Sequence, residues 1–566
     1  MSTTASPVPV PTHVTPASAG PILDASFAGV RRVPDPVNDP SRSYAPGTAE
    51  RAELKARLNA MAAEKVDIPL VIGGLEIRTG RTAPVVMPHQ HGHVLAEYHL
   101  ADASHAQQAV EAALAARREW ASWPWEDRAA VLLRAAELLA TRWRSTLVAA
   151  TMLGQSKTAF QAEIDAASEM IDFWRFNASF AQELYREQPV SSPGMWNQME
   201  YRSLEGFVYA ATPFNFTAIG GNLTTAPALM GNTVVWKPAA TAMLSSYYTM
   251  RLLQEAGMPP GVINFVPGDP VQISRALIDA RELAGVHFTG STAVFNAMWK
   301  QVANNLDRYR GYPRLVGETG GKDFIVAHPS ADPSAVAVAI ARGGFEYQGQ
   351  KCSAASRMYV PESLWAEVRD RTIAMMQEIR VGDVRDFRNF ASAVIDQKAF
   401  TKISGYVEHA RAHARVLQGG TTAGDEGYFI HPTLIQTDDP GYRTMCEEIF
   451  GPVVTVYVYP DGKWHETLDV IDRTSPYALT GAIFSRDRHA VRDATSALRN
   501  AAGNFYVNDK PTGAVVGQQP FGGARGSGTN DKAGSKLNLV RWVNARTLKE
   551  TFVPPTDYKY PFMAEE

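Results

Sequence analysis

Short runs of apolar residues alternate with helical segments along the second half of the chain, and Gly and Pro residues separate them. One such series begins after Tyr209 and a second begins after Glu318. Strands that alternate with helices pair in parallel within an α/β sheet. We therefore predict an α/β fold with two open parallel-sheet lobes. The predicted strands are 233–236, 262–266, 286–288, 324–326, 358–360, 453–459 and 505–507, and the predicted helices are 245–256, 270–280 and 333–347.

The segment from His105 to Tyr185 has its apolar residues at the spacing of helices instead. We expect the helices over 109–114, 127–153 and 159–184 to pack as a layer on a sheet. Residues 187–205 and 536–566 lie outside both patterns. They are predicted to form a small oligomerisation flap and a C-terminal tail, through which the chain pairs with a copy of itself.

The remaining boundaries follow from these patterns. Residues 46–186 and 206–316 are predicted to form one α/β lobe with the helix layer, and residues 317–535 the other lobe. Residues 1–45 are predicted to be a flexible tail, because the chain begins with a stretch rich in Ser, Thr, Pro and Ala. The first 30 residues contain no Lys or Arg, which argues against a mitochondrial transit peptide and a secretory signal. We expect a cytoplasmic protein, or a matrix protein in a eukaryote.

Composition narrows the class of protein. The 566 residues are 45% hydrophobic and 20% charged with a net charge of −3, which is typical of a globular protein and gives no basic stripe for nucleic acid. The long uncharged stretch 206–236 contains Pro213 and Pro227, so it is interpreted as buried core and not as a membrane span. With two cysteines and no Cys and His cluster, neither a disulfide framework nor a metal site is expected. The substrate should be small.

Three residues carry candidate chemistry. Cys352 follows Lys351, and this lysine together with a helix start after Gly349 would favour the thiolate. Glu318 lies among glycines, where a carboxylate can take a proton from water. The amide of Asn215 can stabilise an oxyanion. Each residue also has a structural interpretation as a buried cysteine, a surface glutamate or a turn asparagine, and for Cys446 the buried interpretation is the one we adopt.

Two segments indicate a cofactor. The chain lacks the Gly-x-Gly-x-x-Gly turn, but the segment 288–292 ends a strand and opens a helix, where free N–H groups can meet a pyrophosphate. Lys237 ends another strand before Pro238 and can donate to ribose hydroxyls, although a solvated lysine is the alternative.

Seven motifs in this order resemble the NAD(P)-dependent aldehyde dehydrogenase superfamily, over residues 60 to 555 or so. They are Pro213-Phe-Asn-Phe216, Trp236-Lys-Pro238, Phe288-Thr-Gly-Ser291, Gly317-Glu-x-Gly-Gly-Lys322, Gly349-Gln-Lys-Cys352, Glu447-Glu-Ile-Phe-Gly-Pro452 and Pro520-Phe-Gly-Gly523. Within this superfamily the chain is most similar to the 1-pyrroline-5-carboxylate dehydrogenase subgroup. Phe214 and the stretches 205–222, 345–353 and 500–523 carry that similarity.

The resemblance implies NAD-dependent oxidation of L-glutamate γ-semialdehyde to L-glutamate, the second step of proline degradation. It implies a Rossmann-like cofactor domain over residues 46–186 and 206–316 and a catalytic domain over residues 317–535. It implies that Cys352 is the nucleophile, Glu318 the general base and Asn215 the oxyanion donor. The implied cofactor contacts are Thr212, Lys237, Gly290, Ser291, Thr292, Ala293, Val294, Glu448 and Phe450. The implied substrate contacts are Ser353, Gly513, Ala514, Phe216, Phe521 and Glu169.

Some positions depart from the superfamily pattern. Ala240 stands where some relatives have an acid, so NADP stays possible although NAD is expected. Phe295 replaces a common glycine, as it does in the subgroup. Ala514 stands where a serine can occur, which predicts lower substrate affinity, but the backbone N–H groups of Gly513 and Ala514 can still form an anion nest.

Several alternatives stay open. The chain could oxidise a different semialdehyde or an aliphatic aldehyde, form an acyl-CoA or acyl phosphate, or be an inactive structural member of the fold. Glu318 argues against the acyl-forming enzymes, which must protect their thioester from water, and the presence of all three candidate residues argues against inactivity. A homodimer or higher homo-oligomer is expected, and oxidation of proline itself would need contact with a separate proline dehydrogenase.

Overall fold

The computed structural model describes residues 29–565. Its first part joins a three-stranded sheet to a layer of helices. The strands of that sheet lie in the order β1-β5-β4. The elements are α1 (Ala49–Ala63), β1 (Val66–Ile68), β2 (Leu70–Ile72), β3 (Leu75–Ile77), β4 (Thr82–Met87), β5 (Gln90–His99), α2 (Ala103–Ser122), α3 (Trp125–Ala140), α4 (Arg144–Gln155), α5 (Ala159–Glu163), a π-helical turn (Ile164–Glu169), α6 (Met170–Arg186) and β6 (Met195–Ser203).

A seven-stranded sheet follows, with the strand order β11-β10-β7-β8-β9-β2-β3. Its strands from β7 to β11 pair in parallel, and the hairpin of β2 and β3 closes one edge in antiparallel fashion. The elements are β7 (Phe207–Ala211), α7 (Thr217–Leu229), β8 (Thr233–Lys237), α8 (Met243–Ala256), β9 (Ile263–Phe265), α9 (Pro270–Ile278), β10 (Leu283–Thr289), α10 (Thr292–Asn304) and β11 (Arg314–Glu318).

The second seven-stranded sheet has the order β14-β17-β18-β13-β12-β20-β21, and only β14 pairs in antiparallel fashion. Strands β15 and β16 form a separate two-stranded sheet, and so do β19 and β22. The elements from residue 323 onward are β12 (Asp323–Ala327), α11 (Pro333–Phe345), β13 (Ala355–Pro361), α12 (Glu362–Glu378), α13 (Gln397–His413), β14 (Arg415–Gln418), β15 (Thr422–Ala423), β16 (Phe429–Ile430), β17 (Thr433–Thr437), α14 (Arg443–Cys446), β18 (Val453–Tyr459), α15 (Trp464–Thr474), β19 (Tyr477–Ala478), β20 (Thr480–Phe484), α16 (Arg488–Ala497), β21 (Asn504–Val507), β22 (Ala524–Arg525), α17 (Lys536–Val540) and β23 (Val543–Thr551).

The prediction of an α/β fold with two open, mostly parallel sheets is confirmed. Helix α7, from the uncharged stretch, is buried almost throughout its length, which agrees with its interpretation as core. None of the described helices has both the length and the apolar character that a membrane span needs. The predicted helix over 127–153 is interrupted at residues 141–143, and the one over 159–184 contains the π-helical turn.

Strand β23 pairs with β6 in antiparallel fashion along nine residues, from Val543 with Ser203 to Thr551 with Met195. Both strands belong to the segments that were predicted to form the flap. The two strands form a sheet of their own, in which β23 has one edge without a neighbouring strand among the described residues. On the outer edge of β6, the N–H groups of Asn197 and Met199 donate to the side chains of Ser191 and Gln188. An exposed edge like that of β23 can pair with another chain. That the flap mediates oligomerisation stays a prediction.

The segment before α1 corrects the prediction of a flexible tail that reaches residue 45. Tyr44 is buried, and its hydroxyl donates a hydrogen bond to Glu163 at 2.6 Å. Asp39 forms an ion pair with Arg144 over 2.6 Å, and both side chains are less than 10% exposed. Hydrogen bonds and ion pairs with buried charged side chains attach this segment to the rest of the protein, although the segment has few apolar residues. The part of the predicted tail up to residue 28 lies outside the described residues.

Candidate active site

The backbone before Cys352 takes an unusual course. Tyr347, Gln348 and Gly349 all have left-handed backbone angles, with φ values of 52°, 55° and 64°. A Cβ atom on Gly349 would lie 2.3 Å from the carbonyl oxygen of Gly451, so only glycine fits there. This turn joins α11 to β13 and places Cys352 at a cavity. The predicted helix start after Gly349 is wrong, because the next regular element after residue 349 is a strand.

The charges around Cys352 also differ from the prediction. Burial raises the pKa of this thiol well above its usual value, and the negative charges of Glu318, Asp323 and Glu448 raise it further. Lys351, which was predicted to favour the thiolate, instead forms an ion pair with Glu346 over 3.2 Å. The thiol is therefore protonated at neutral pH in this state, and it needs a base before it can attack.

Glu318 can supply that base. It ends strand β11, and its Oε1 atom is buried with no hydrogen-bond partner among the residues that the structure describes. Burial raises the pKa of Glu318 to about 8, and the nearby charge of Lys532 partly offsets the increase. Glu318 and Cys352 line the same cavity. A carboxyl group with a pKa near neutrality and a free oxygen is suited to accepting and releasing a proton.

Asn215 lies between β7 and α7 and is buried. Its side-chain Nδ2 donates to the carbonyl oxygen of Gln350 at 3.1 Å. Gln350 is two residues before Cys352 in the chain, so this hydrogen bond holds the Asn215 amide near the segment that carries the thiol. Since Nδ2 has two hydrogens, one of them stays available for another acceptor. The structure therefore brings all three predicted catalytic residues to one region.

A buried ion pair between Lys157 and Asp165 stabilises the segment that carries Asn215. The carboxylate of Asp165 accepts hydrogen bonds from the backbone N–H groups of Thr217 and Ala218, at 3.0 and 2.9 Å, at the start of α7. Lys157 pairs with Asp165 over 2.7 Å, and its ammonium lies 4.0 Å from the ring centre of Phe216. Negative charge at a helix N-terminus is stabilising, so this pair fixes the backbone that carries Asn215 and Phe216. Sequence reasoning missed it, because Lys157 and Asp165 belong to no quoted motif.

One cavity of about 440 Å³ joins all the predicted substrate residues to the nucleophile and the base. Beyond Cys352 and Glu318 it is lined by all six predicted substrate contacts: Glu169, Phe216, Ser353, Gly513, Ala514 and Phe521. The cavity has room for a small organic molecule.

One end of this cavity suits an anion. Ser353 Oγ lies 2.8 Å from Thr512 Oγ1, and Gly513 continues the loop with a φ of 97°. Lys510 also lines the cavity and donates to the carbonyl oxygen of Thr512 at 3.1 Å. Cationic and hydroxyl groups beside a glycine turn can hold a carboxylate. Lys510 stands within a stretch that carried the resemblance, but its role was missed there.

The predicted cofactor residues before Glu318 lie at the carboxyl ends of three neighbouring parallel strands. Thr212 follows β7, Lys237 ends β8, and the turn Gly290–Val294 follows β10. Ser291 caps α10, since its Oγ accepts a hydrogen bond from the Val294 N–H at 3.4 Å. Burial lowers the pKa of Lys237 to about 8. Ligands of open α/β sheets bind at this edge.

The two remaining cofactor residues come from the segment between α14 and β18. Glu448 Oε1 accepts a hydrogen bond from the Gly321 N–H at 2.9 Å, and Phe450 packs edge-on against Phe214 with ring centres 5.7 Å apart. A Cβ atom on Gly320 would lie 2.6 Å from the Glu448 carboxylate, so glycine keeps this approach open. The start of α10, Lys237 and Glu448 are groups that can bind the phosphates and the ribose hydroxyls of a dinucleotide.

A metal ion would need a cluster of ligands. No group of three or more His, Cys, Asp or Glu side chains within residues 29–565 is arranged to hold one.

The aldehyde dehydrogenase family model matches residues 76–548, and the chain belongs to that family. This confirms the superfamily resemblance. The chain is 53% identical to mitochondrial delta-1-pyrroline-5-carboxylate dehydrogenase of Dictyostelium discoideum, over 96% of this chain and 98% of that protein. It is 50% identical to the protein of the same name from Homo sapiens, over 93% and 94% of the two chains.

Solved structures give the same picture. The chain is similar to the delta-pyrroline-5-carboxylate dehydrogenase of Mycobacterium tuberculosis bound with NAD, with a TM-score of 0.92 and 54% identity. The match covers 95% of this chain and all of that one. The predicted similarity to this subgroup is confirmed.

Proposed function

We propose that the protein is an NAD-dependent dehydrogenase that oxidises L-glutamate γ-semialdehyde, formed from 1-pyrroline-5-carboxylate, to L-glutamate. The observation that carries the proposal is the single cavity in which Cys352 and Glu318 lie with the predicted carboxylate contacts Ser353, Gly513 and Ala514. The names of the relatives, which are about half identical over nearly the whole chain, support the same substrate.

The substrate binds by its two ends in this proposal. The α-carboxylate lies on the Gly513–Ala514 backbone and Ser353, near the positive charge of Lys510. The aliphatic part lies between the rings of Phe216 and Phe521. Glu169 faces the amino group, and burial raises the pKa of Glu169 to about 8. An ammonium group beside it would favour the ionised carboxylate.

The first chemical step is attack of Cys352 on the aldehyde. Ionised Glu318 takes the thiol proton, since burial and nearby carboxylates keep that thiol protonated. Sulfur bonds to the carbonyl carbon, and the oxygen takes up the negative charge beside the Asn215 amide, a contact worth roughly 3 kcal/mol. NAD, when bound, supplies the hydride acceptor. Loss of hydride from the carbon leaves a thioester on Cys352.

The second step frees the acid. Glu318 first releases the thiol proton to solvent and then takes a proton from water. The hydroxide adds to the thioester carbon, and the sulfur leaves as thiolate, which is reprotonated. The net reaction consumes the aldehyde, water and oxidised cofactor, and it yields glutamate, reduced cofactor and two protons. Residues Thr212, Lys237, Gly290–Val294, Glu448 and Phe450 hold the cofactor in this proposal. The preference for NAD is supported by the NAD-bound relative.

The rate is expected to rise with pH as Glu318 ionises, because only the ionised form accepts a proton and its pKa is about 8. Lys532 lowers that pKa, so Lys532→Met should move the rising part of the pH–rate profile to higher pH. Steady-state rates measured from pH 6 to 10 test this. Lys463→Met removes an equal charge from an exposed position and should leave the profile unchanged. An unmoved profile in Lys532→Met would contradict this tuning of Glu318.

One experiment tests the proposed substrate. NADH formation is measured with 1-pyrroline-5-carboxylate, succinate semialdehyde and hexanal, each without coenzyme A or phosphate. The highest kcat/KM is expected for 1-pyrroline-5-carboxylate, with glutamate as the product. A large preference for hexanal would overturn the carboxylate-binding role of Ser353 and the Gly513–Ala514 loop. A requirement for coenzyme A or phosphate would indicate an acyl-forming enzyme instead.

The wider organisation is part of the same proposal. Residues 46–186 and 206–316 form the NAD-binding domain and residues 317–535 the catalytic domain. Residues 187–205 and 536–566 form the flap and tail through which the chain makes a homodimer or larger homo-oligomer. A mitochondrial matrix location in a eukaryote is supported by the relatives' names. Contact with a separate proline dehydrogenase is supported by the likeness to proline utilization A of Bdellovibrio bacteriovorus, of which this chain covers 54%.

A further inference from the structure

The segment that precedes α1 forms part of the substrate cavity. Residues 38–44, which we call the strap, run over the helix layer, and Asn38, Asp39 and Ser41 line the same cavity as Cys352. No motif of the resemblance includes these residues. The strap is far from the nucleophile in sequence, so its place in the cavity depends on the contacts that hold it.

Asn38 connects the two sides of the cavity. Its Nδ2 donates to Asp172 Oδ2 at 2.7 Å and to the carbonyl oxygen of Val516 at 2.9 Å. Its Oδ1 accepts a hydrogen bond from Gln518 Nε2 at 2.9 Å. Asp172 belongs to α6, whereas Val516 and Gln518 belong to the loop that begins at Gly513. Both hydrogens of the Asn38 amide and one lone pair of its oxygen are thus used to join a helix to a loop.

The rest of the strap is held firmly on the helix layer. The Asp39 N–H donates to the other oxygen of Asp172 at 2.7 Å. The Asp39 carboxylate forms ion pairs with Arg144 over 2.6 Å and with Arg175 over 3.3 Å. The Ser41 and Ser168 hydroxyls lie 2.9 Å apart. Breaking a buried ion pair costs free energy, because it leaves a charge without a partner. We therefore treat the strap as a fixed wall of the cavity.

The two sides that Asn38 joins carry the two ends of the substrate site. Glu169 lies one helical turn before Asp172, and Gly513 and Ala514 lie just before Val516 in the loop. If the loop moved relative to the helix, the distance between the amino and the carboxylate contacts would change. A neutral aldehyde that makes neither contact would not sense the change.

We propose that Asn38 is a specificity-determining residue, which fixes the spacing between α6 and the Gly513–Ala514 loop for an aldehyde that carries an α-amino carboxylate. The inference rests on the proposed function and deepens it. Asn38 acts through the loop and the helix and not on the reacting carbon, so it is a positioning residue. Its contribution should appear in KM, since contacts at the remote end are equal in the ground state and the transition state.

The test uses Asn38→Ala in the full-length enzyme with two substrates. The KM for 1-pyrroline-5-carboxylate should rise by roughly tenfold, as expected when a binding group is misplaced, while kcat changes little. The KM and kcat for hexanal should stay as in the wild type. Binding of the product L-glutamate, measured by calorimetry, should weaken by a similar factor. Val37→Ala is the matched control, because Val37 precedes the strap and its side chain is 70% exposed.

A second variant keeps the test decisive if Asn38→Ala fails to fold. Gln518→Ala removes one donor to Asn38 from an exposed position that does not line the cavity. It should shift KM in the same direction by a smaller factor. An equal loss of kcat/KM for both substrates, or no change for either in both variants, would overturn the inference. A preference of the wild type for hexanal would overturn the proposed function. The role of Asn38 would still be tested separately, by the effect of its substitution on binding of L-glutamate.

Discussion

Cys352→Ala is expected to abolish aldehyde oxidation, with a loss on the order of 10⁶-fold, which is the cost of removing the covalent nucleophile of a serine protease. Alanine is smaller than cysteine and apolar, so the turn before it and the fold should persist. NADH formation with 1-pyrroline-5-carboxylate measures the loss. In the wild type, rapid quenching and mass spectrometry should find the substrate's acyl group on Cys352.

Cys446→Ala is the matched control for that experiment. Cys446 is the other cysteine of the chain, and its thiol donates to the Gly441 carbonyl oxygen at 3.3 Å. This variant should keep wild-type activity and carry the acyl group during turnover. Retention of more than a few per cent of the activity by Cys352→Ala, or an unmodified Cys352 in the quenched wild type, would contradict the covalent mechanism.

Glu318→Gln is expected to lower the steady-state rate by about 10²- to 10⁴-fold, since an amide cannot take a proton from water. Acylation should slow but not stop: the variant lacks the base that takes the thiol proton, but it also lacks one charge that raises the pKa of Cys352, so the thiol can lose its proton to water. The variant should therefore release one equivalent of NADH per site in a burst and then stop. Stopped-flow absorbance measures the burst, and mass spectrometry should find the accumulated thioester.

Glu169→Gln is the matched control, because it distinguishes the loss of the general base from the loss of any buried carboxyl group. Glu169 lines the same cavity, and its pKa is also raised to about 8 by burial. Its amide variant should raise KM for the amino-bearing substrate without a burst. A burst in Glu169→Gln and none in Glu318→Gln would exchange the two assignments.

The order of strands and helices could be predicted wherever an apolar run had clear boundaries. The strand over 453–459 was predicted with its observed limits, and the parallel pairing was expected from the alternation. Strands β7, β11, β17 and β20 were among those missed, although β7 lies inside the first seven-stranded sheet and β17 and β20 lie inside the second. A short run such as Thr480–Phe484 has too few residues to distinguish a strand from a buried turn of helix. Only its pairing with β12 and β21 defines it.

The residue types of the candidate site could be read from the sequence, but its charges could not. Lys351 is next to Cys352 in the chain, yet its ammonium pairs with Glu346. The carboxylates that act on the thiol, those of Glu318, Asp323 and Glu448, come from distant positions. The strap was missed because a polar segment without periodicity predicts no element. Its partners, buried charges on α4 and α6, become visible only in three dimensions.

The left-handed turn at residues 347–349 links the nucleophile to the cofactor side of the site. Gly349 lies directly against the carbonyl of Gly451, which immediately follows Phe450, one of the proposed cofactor contacts. A displacement of the 448–451 segment would therefore push the main chain that presents Cys352. Substitution of Glu448 or Phe450 to change the coenzyme preference would then also change the position of the Cys352 sulfur. Mutant libraries that vary the coenzyme positions and the catalytic positions separately would therefore miss the active combinations.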